Sequence, residues 1–123
     1  MMIKDRLLKL PDEIKEMKIE LINADKRLEH YNEEVKKWEL RELDLIANEI
    51  DEDGKAKYSN DTKRKAELER RKEGEDYQRL LKALNDARLE KDLIYIELDR
   101  LYNEQSNLRA ICRLEGGSDV HEV

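Results

Sequence analysis

Cationic side chains crowd the middle of the chain. Lys55, Lys57, Lys63, Arg64, Lys65, Arg70, Arg71 and Lys72 lie within eighteen residues, opposed there only by Asp61, Glu67 and Glu69, in a chain whose net charge is -6. Such groups neutralise phosphates and displace the counterions condensed on them, and an aromatic ring among them, here Tyr58, offers a face on which a base can stack. One chemistry these residues support is contact with a nucleic-acid backbone; the other is contact with a protein partner. A charge run on a helix is also what a solvated face looks like, and one ring is a small stacking platform.

Other reactive types are sparse. His30 has Glu33 and Glu34 one turn later, a weak surface metal set at best, and Arg27 stands three residues before it, where a di-iron bundle would place glutamate. His121 falls near the C-terminus. The order Glu49, Asp51, Asp53, Gly54 follows the start of an EF-hand calcium loop, but Lys57 and Asn60 occupy its ninth and twelfth places, where a bidentate glutamate is needed last. No nucleophile and base are paired, no glycine loop could cradle phosphate, and no zinc spacing occurs. Cys112 stands alone, which excludes an internal disulfide and fits a reducing compartment. The chain is therefore expected to be no enzyme and to need no metal or cofactor.

What must position the cations is a pair of long helical arms. Ile3, Leu7, Leu10, Ile14, Met17, Leu21, Ala24, Leu28, Tyr31, Val35 and Trp38 alternate at intervals of four and three, the mark of a coiled-coil seam. Tyr77, Leu80, Leu84, Ala87, Ile94, Leu98, Leu101, Leu108 and Cys112 keep the same alternation once Lys91 and Gln105 fill two seam places. Polar residues there can fix register and partner number; Lys91 can alternatively lay its stem over the stripe and send its charge to water. The expected fold is all-α, a long antiparallel coiled-coil hairpin in which each stripe buries the other. Two registers satisfy the spacing. One pairs Tyr31 with Tyr77 and Ile14 with Ile94, and the other pairs Trp38 with Tyr77 and sets Lys91 beside Ala24.

The divisions follow from local signals. Residues 1–10 read as a short amphipathic helix, and Pro11 suits the first turn of the next, where its missing N–H costs nothing, unless the break is only a kink. The first arm spans 11–50, with Leu43, Ile46 and Ile50 replacing the regular seam beyond Trp38. The elbow is 51–61, holding Gly54 and the N-cap types Ser59, Asn60 and Asp61. Residues 62–76 form a polar, basic helical segment that is expected to project beyond the packed region or fray, 77–115 the second arm, and 116–123 a disordered tail.

Charged residues make up 46% of the chain and Phe is absent, so long solvated helices fit better than a thick core. No apolar run could span a bilayer and no signal-peptide pattern opens the chain; a cytoplasmic protein without membrane contact is expected. Leu8, Ile19 and Ile22, with Leu81, Leu89, Leu93, Tyr95, Ile96 and Tyr102, lie off the stripes and point to self-association or a partner helix.

The turn Gly54-Lys55-Ala56-Lys57-Tyr58-Ser59-Asn60-Asp61, followed by Lys63-Arg64-Lys65-Ala66-Glu67-Leu68 and later by Glu97-Leu98-Asp99-Arg100-Leu101, resembles small coiled-coil proteins of Gram-positive phages and prophages. There the pattern Gly-Lys-x-x-Tyr-Ser-Asn precedes a charged helix with a later Glu-Leu-x-Arg-Leu. The resemblance covers roughly Ile50 to Leu114. It implies a mobile-element origin and a place among recombination and replication genes, and carries over no catalytic residue. The expectation is an interaction module accessory to DNA metabolism; direct nucleic-acid binding through the basic segment is the alternative.

Overall fold

The computed structural model describes residues 2–116, and the tail expected at 116–123 falls outside them from residue 117 on. The described chain is helical, with α1 at Met2–Asn48, α2 at Asp61–Arg71 and α3 at Glu75–Glu115. Among the described residues there is no strand; a single antiparallel bridge joins Ile50 and Ala56. The described chain divides into two compact units, one of residues 2–25 with 89–116 and one of residues 26–88.

The first unit buries Leu10, Ile14 and Ala24 of α1 in one cluster with Ile94, Leu98 and Leu101 of α3. Leu7, Met17, Leu21 and Leu108 pack against that cluster. At its edge Arg6 grips Glu104 with two hydrogen bonds of 2.8 Å and reaches Glu13 at 2.7 Å. Lys91 lies half-buried, its Nζ 2.7 Å from Asp25 and 5.9 Å from the centre of the Tyr95 ring. The hydrogen bond to Asp25 raises the Lys91 pKa, so the seam lysine keeps its charge. Gln105 and Cys112 are also half-buried.

A separate helix over residues 1–10 does not form. α1 runs unbroken through Pro11, whose ring is exposed. Proline inside a helix costs about 3 kcal/mol, but burying Leu10 and Ile14 on either side recovers about 1.5–3 kcal/mol each, enough to hold the helix together. Because Leu10 is fully buried and Ile14 nearly so, packing prevails over the local penalty.

In the second unit the rings of Trp38 and Tyr77 meet at 4.8 Å, and the Tyr77 hydroxyl donates to Glu39 at 3.2 Å. Ile46 is fully buried and Leu43 half-buried, but Ile50 is 65% exposed and lies past the end of α1 in the bridge, outside any seam. The helical segment expected at 62–76 is shorter than that: α2 stops at Arg71, and α3 already begins at Glu75. The turn between is closed by Gly74 N–H donating to the Arg71 carbonyl at 3.1 Å and by the Gln78 side chain donating to the Lys72 carbonyl at 2.8 Å. Nor does α2 project or fray, since Glu67 and Leu68 are both buried.

Candidate functional site

Residues 49–72 bring the predicted cations onto a short loop and one helix. Asp51 shapes the loop: its carboxylate accepts from the amides of Asp53 at 2.9 Å and Lys55 at 3.0 Å, and its own N–H donates to the Lys55 carbonyl at 2.7 Å. Gly54 closes the turn with φ of 79°, a conformation that side chains disfavour. The acidic order that resembles a calcium loop is thus engaged elsewhere, Asp51 by amides and Glu49 by Lys57 and Arg71. Among the described residues no cluster of three or more His, Cys, Asp or Glu could hold a metal ion. His30 is exposed, its ring 5.1 Å from that of Tyr31.

Asn60 caps α2, its side chain accepting from the Lys63 N–H at 2.9 Å, and this sets the phase of every cation after it. Arg64 turns back to donate to the Tyr58 carbonyl at 3.1 Å, which fixes the loop against the helix. An open groove of about 470 Å³ results, lined by Lys57, Tyr58, Lys63, Ala66, Glu67 and Arg70. Lys57 Nζ stands 5.6 Å from the centre of the Tyr58 ring, within cation–π range, and Tyr58 is half-buried.

The nine residues singled out from sequence differ in exposure. Lys55, Lys57, Lys63, Lys65 and Arg70 are exposed, and Tyr58 lies among them. Of these Lys57 lies 3.5 Å from Glu49 and Arg70 donates to Glu67, and Arg71 and Lys72, both half-buried, are also held by carboxylates. Arg71 donates to Glu42 at 3.0 Å, Glu49 at 2.8 Å and Glu67 at 3.0 Å, while Lys72 lies 3.3 Å from Glu39 and 3.0 Å from Glu69. Arg64 is half-buried in the loop contact just described.

Glu67 forms part of the groove lining, and two guanidinium groups compensate its charge. The hydrogen bond from Arg70 is the largest influence; burial works against ionisation, but Arg71 adds to Arg70 and the carboxyl is held down at about 2. Its negative charge is therefore matched by Arg70 and Arg71, and Lys57 and Lys63 are the other cations of the groove lining. An anionic group with a flat ring fits this chemistry, as does an acidic side chain of a protein.

Sequence reasoning missed the carboxylates of α1 that hold the base of α2. Glu42 and Glu49 continue the four-and-three spacing beyond Trp38, so charged residues at seam places were the available signal. Compared with known protein families, curated proteins and solved structures, the chain matches none.

Proposed function

We propose that this chain is a non-enzymatic, cytoplasmic coiled-coil interaction module of phage or prophage origin, accessory to DNA recombination or replication. Its arms form an antiparallel hairpin, and its basic groove makes the outward contact. The hairpin reading draws on the first unit, where Arg6 meets Glu104 and Asp25 meets Lys91, so partner numbers fall along α3 as they rise along α1. Trp38 beside Tyr77 and Lys91 beside Asp25 favour the register that sets Lys91 next to Ala24. The mobile-element origin rests on the Gly-Lys-x-x-Tyr-Ser-Asn turn.

The observation that carries the outward contact is the groove itself, with Lys57, Lys63 and Arg70 around Tyr58. A second reading, direct nucleic-acid binding, is favoured by the position of Lys57 over the Tyr58 ring, since cations beside a stacking face are what single strands use. Fluorescence anisotropy of labelled single- and double-stranded oligonucleotides at two salt concentrations separates the readings. Binding that weakens steeply with salt, and that Lys63→Ala, Arg64→Ala and Lys65→Ala together reduce for all sequences alike, supports the second. Absence of binding at low salt assigns the groove to a protein partner.

A further inference from the structure

Two of the three cations lining the groove of the second unit, Lys57 and Arg70, are held by carboxylates of their own chain. Lys57 Nζ lies 3.5 Å from one oxygen of Glu49, and Arg70 donates from Nε to Glu67 at 3.0 Å. Arg71 holds the same two carboxylates. Its Nη2 donates to the other oxygen of Glu49 at 2.8 Å, and its Nε donates to Glu67 at 3.0 Å. The three cations differ in reach: the side chains of Lys57 and Arg70 are 50% and 69% exposed, that of Arg71 only 23%. A ligand entering the groove therefore meets Lys57 and Arg70, and each carboxylate it displaces still has Arg71.

That shared partner makes exchange possible. A carboxylate stripped of its sole partner while largely buried is left with an uncompensated charge, which is strongly unfavourable. Arg71 prevents this at both Glu49 and Glu67. Nor must the backbone move. The Lys57 N–H donates to the Glu49 carbonyl at 2.9 Å and Arg64 holds the Tyr58 carbonyl at 3.1 Å, so the loop keeps its place while the Lys57 side chain turns.

We propose that the groove takes an acidic segment of a protein partner by exchanging carboxylates: the partner's acidic side chains replace Glu49 on Lys57 and Glu67 on Arg70, and Arg71 retains the two that are displaced. Glu49 and Glu67 are thus internal competitors for the site. The inference deepens, and rests on, the reading of the groove as the contact for a protein partner.

Glu67 separates such a segment from a nucleic-acid strand. It is buried in the lining beside Ala66, and it stays there when Arg70 turns outward. A phosphate backbone carries a charge at every link and must pass that carboxylate. A peptide can instead set a small neutral residue over Ala66 and Glu67, with its acidic residues at Lys57, Lys63 and Arg70. Like charges brought together in this way select against the wrong partner.

Fluorescence anisotropy of a labelled peptide of alternating glutamate and alanine, titrated with the full chain at low salt, tests the proposal beside a labelled oligothymidylate. The peptide is expected to bind, and Lys63→Ala to weaken it about threefold. Glu49→Gln should tighten peptide binding about threefold, and Glu52→Gln, the same charge change at an exposed loop position, should tighten it less. Arg71→Gln should weaken binding more than Lys65→Gln does, although Arg71 lies outside the groove lining, and its effect should shrink in the Glu49→Gln background. Circular dichroism verifies that the variants remain helical; should Arg71→Gln lose helix, the comparison of Glu49→Gln with Glu52→Gln decides alone. Binding of oligothymidylate without the peptide overturns both this inference and the protein-partner reading, as does peptide binding that Lys63→Ala leaves unchanged. Binding of neither probe overturns this inference alone. Peptide binding through the groove that Glu49→Gln tightens no more than Glu52→Gln overturns the exchange and leaves the protein-partner reading standing.

Discussion

Arg71, the last residue of α2, donates from Nη1 to Glu42 of α1 at 3.0 Å. The same guanidinium also holds Glu49 and Glu67, so one cation satisfies three carboxylates. Arg71→Ala leaves those carboxylates facing one another. Removing one partner of a buried pair costs about 3–5 kcal/mol, and the roughly one-quarter exposure of Arg71 lowers the expectation to about 2 kcal/mol. Urea unfolding measures the loss, with Lys65→Ala, at an exposed site, as the control that should leave the midpoint unchanged.

Acid should weaken the second unit through Glu67. Its carboxyl is lowered from 4.5 to about 2, chiefly by the hydrogen bond from Arg70. A depressed folded-state pKa contributes stability that is fully present above the unfolded value and is lost as pH falls towards the folded value. Stability should therefore decline from about pH 5 down to about pH 2. Glu97 and Glu104, also lowered by hydrogen bonds from arginines, act with the same sign in the first unit. Glu67→Gln should reduce stability at neutral pH and flatten part of the acid limb; an unchanged pH profile would count against the Arg70 and Arg71 contacts.

The ring contact of Trp38 with Tyr77 bears on the register proposed for the arms. At 4.8 Å and a 41° tilt, such a pair is worth about 0.5–1.5 kcal/mol beyond its buried area. A double-mutant cycle with Trp38→Leu and Tyr77→Leu, followed by circular dichroism in urea, should recover a coupling of that size. Additive losses would instead favour the register in which Tyr31 faces Tyr77.

Gly54 can be tested for conformation alone. Nothing lies within 4 Å of the position a Cβ would take there, yet φ is +79°. Gly54→Ala should therefore cost about 1 kcal/mol, from backbone strain without steric clash, and Gly54→Asn should cost less. Equal stability of all three chains would show that the turn rearranges freely.

The apolar striping of the helices was legible because it is a local pattern. Each residue from Ile3 to Trp38 and from Tyr77 to Cys112 assigned to it is buried or half-buried, while Leu8, Ile19, Leu89 and Ile96, at other phases of the same helices, are exposed. Leu81, read as lying off the stripe, is half-buried. Two features were not legible. Burial of α2 depends on pairs such as Arg71 with Glu42, twenty-nine residues apart, and an apolar pattern carries no information about ion pairs made at that separation. The continuity of α1 depends on whether packing around Leu10 outweighs the cost of Pro11, a contest between terms of similar size. For the site, residue types and position were readable, but which cations are exposed and which, like Arg71 and Lys72, are half-buried against Glu39, Glu42 and Glu49 required the fold.

Pro11 also has a consequence in time. With no N–H of its own, it leaves the Leu7 carbonyl without the usual donor, so the first turns of α1 are joined to the rest by one hydrogen bond fewer. Local opening follows weak links, and amide protons ahead of the proline should exchange with solvent in a separate, faster phase than those of residues 14–24. A helix continuous in space would thus be segmented in its exchange clock, with the boundary set by a residue whose ring touches mainly water.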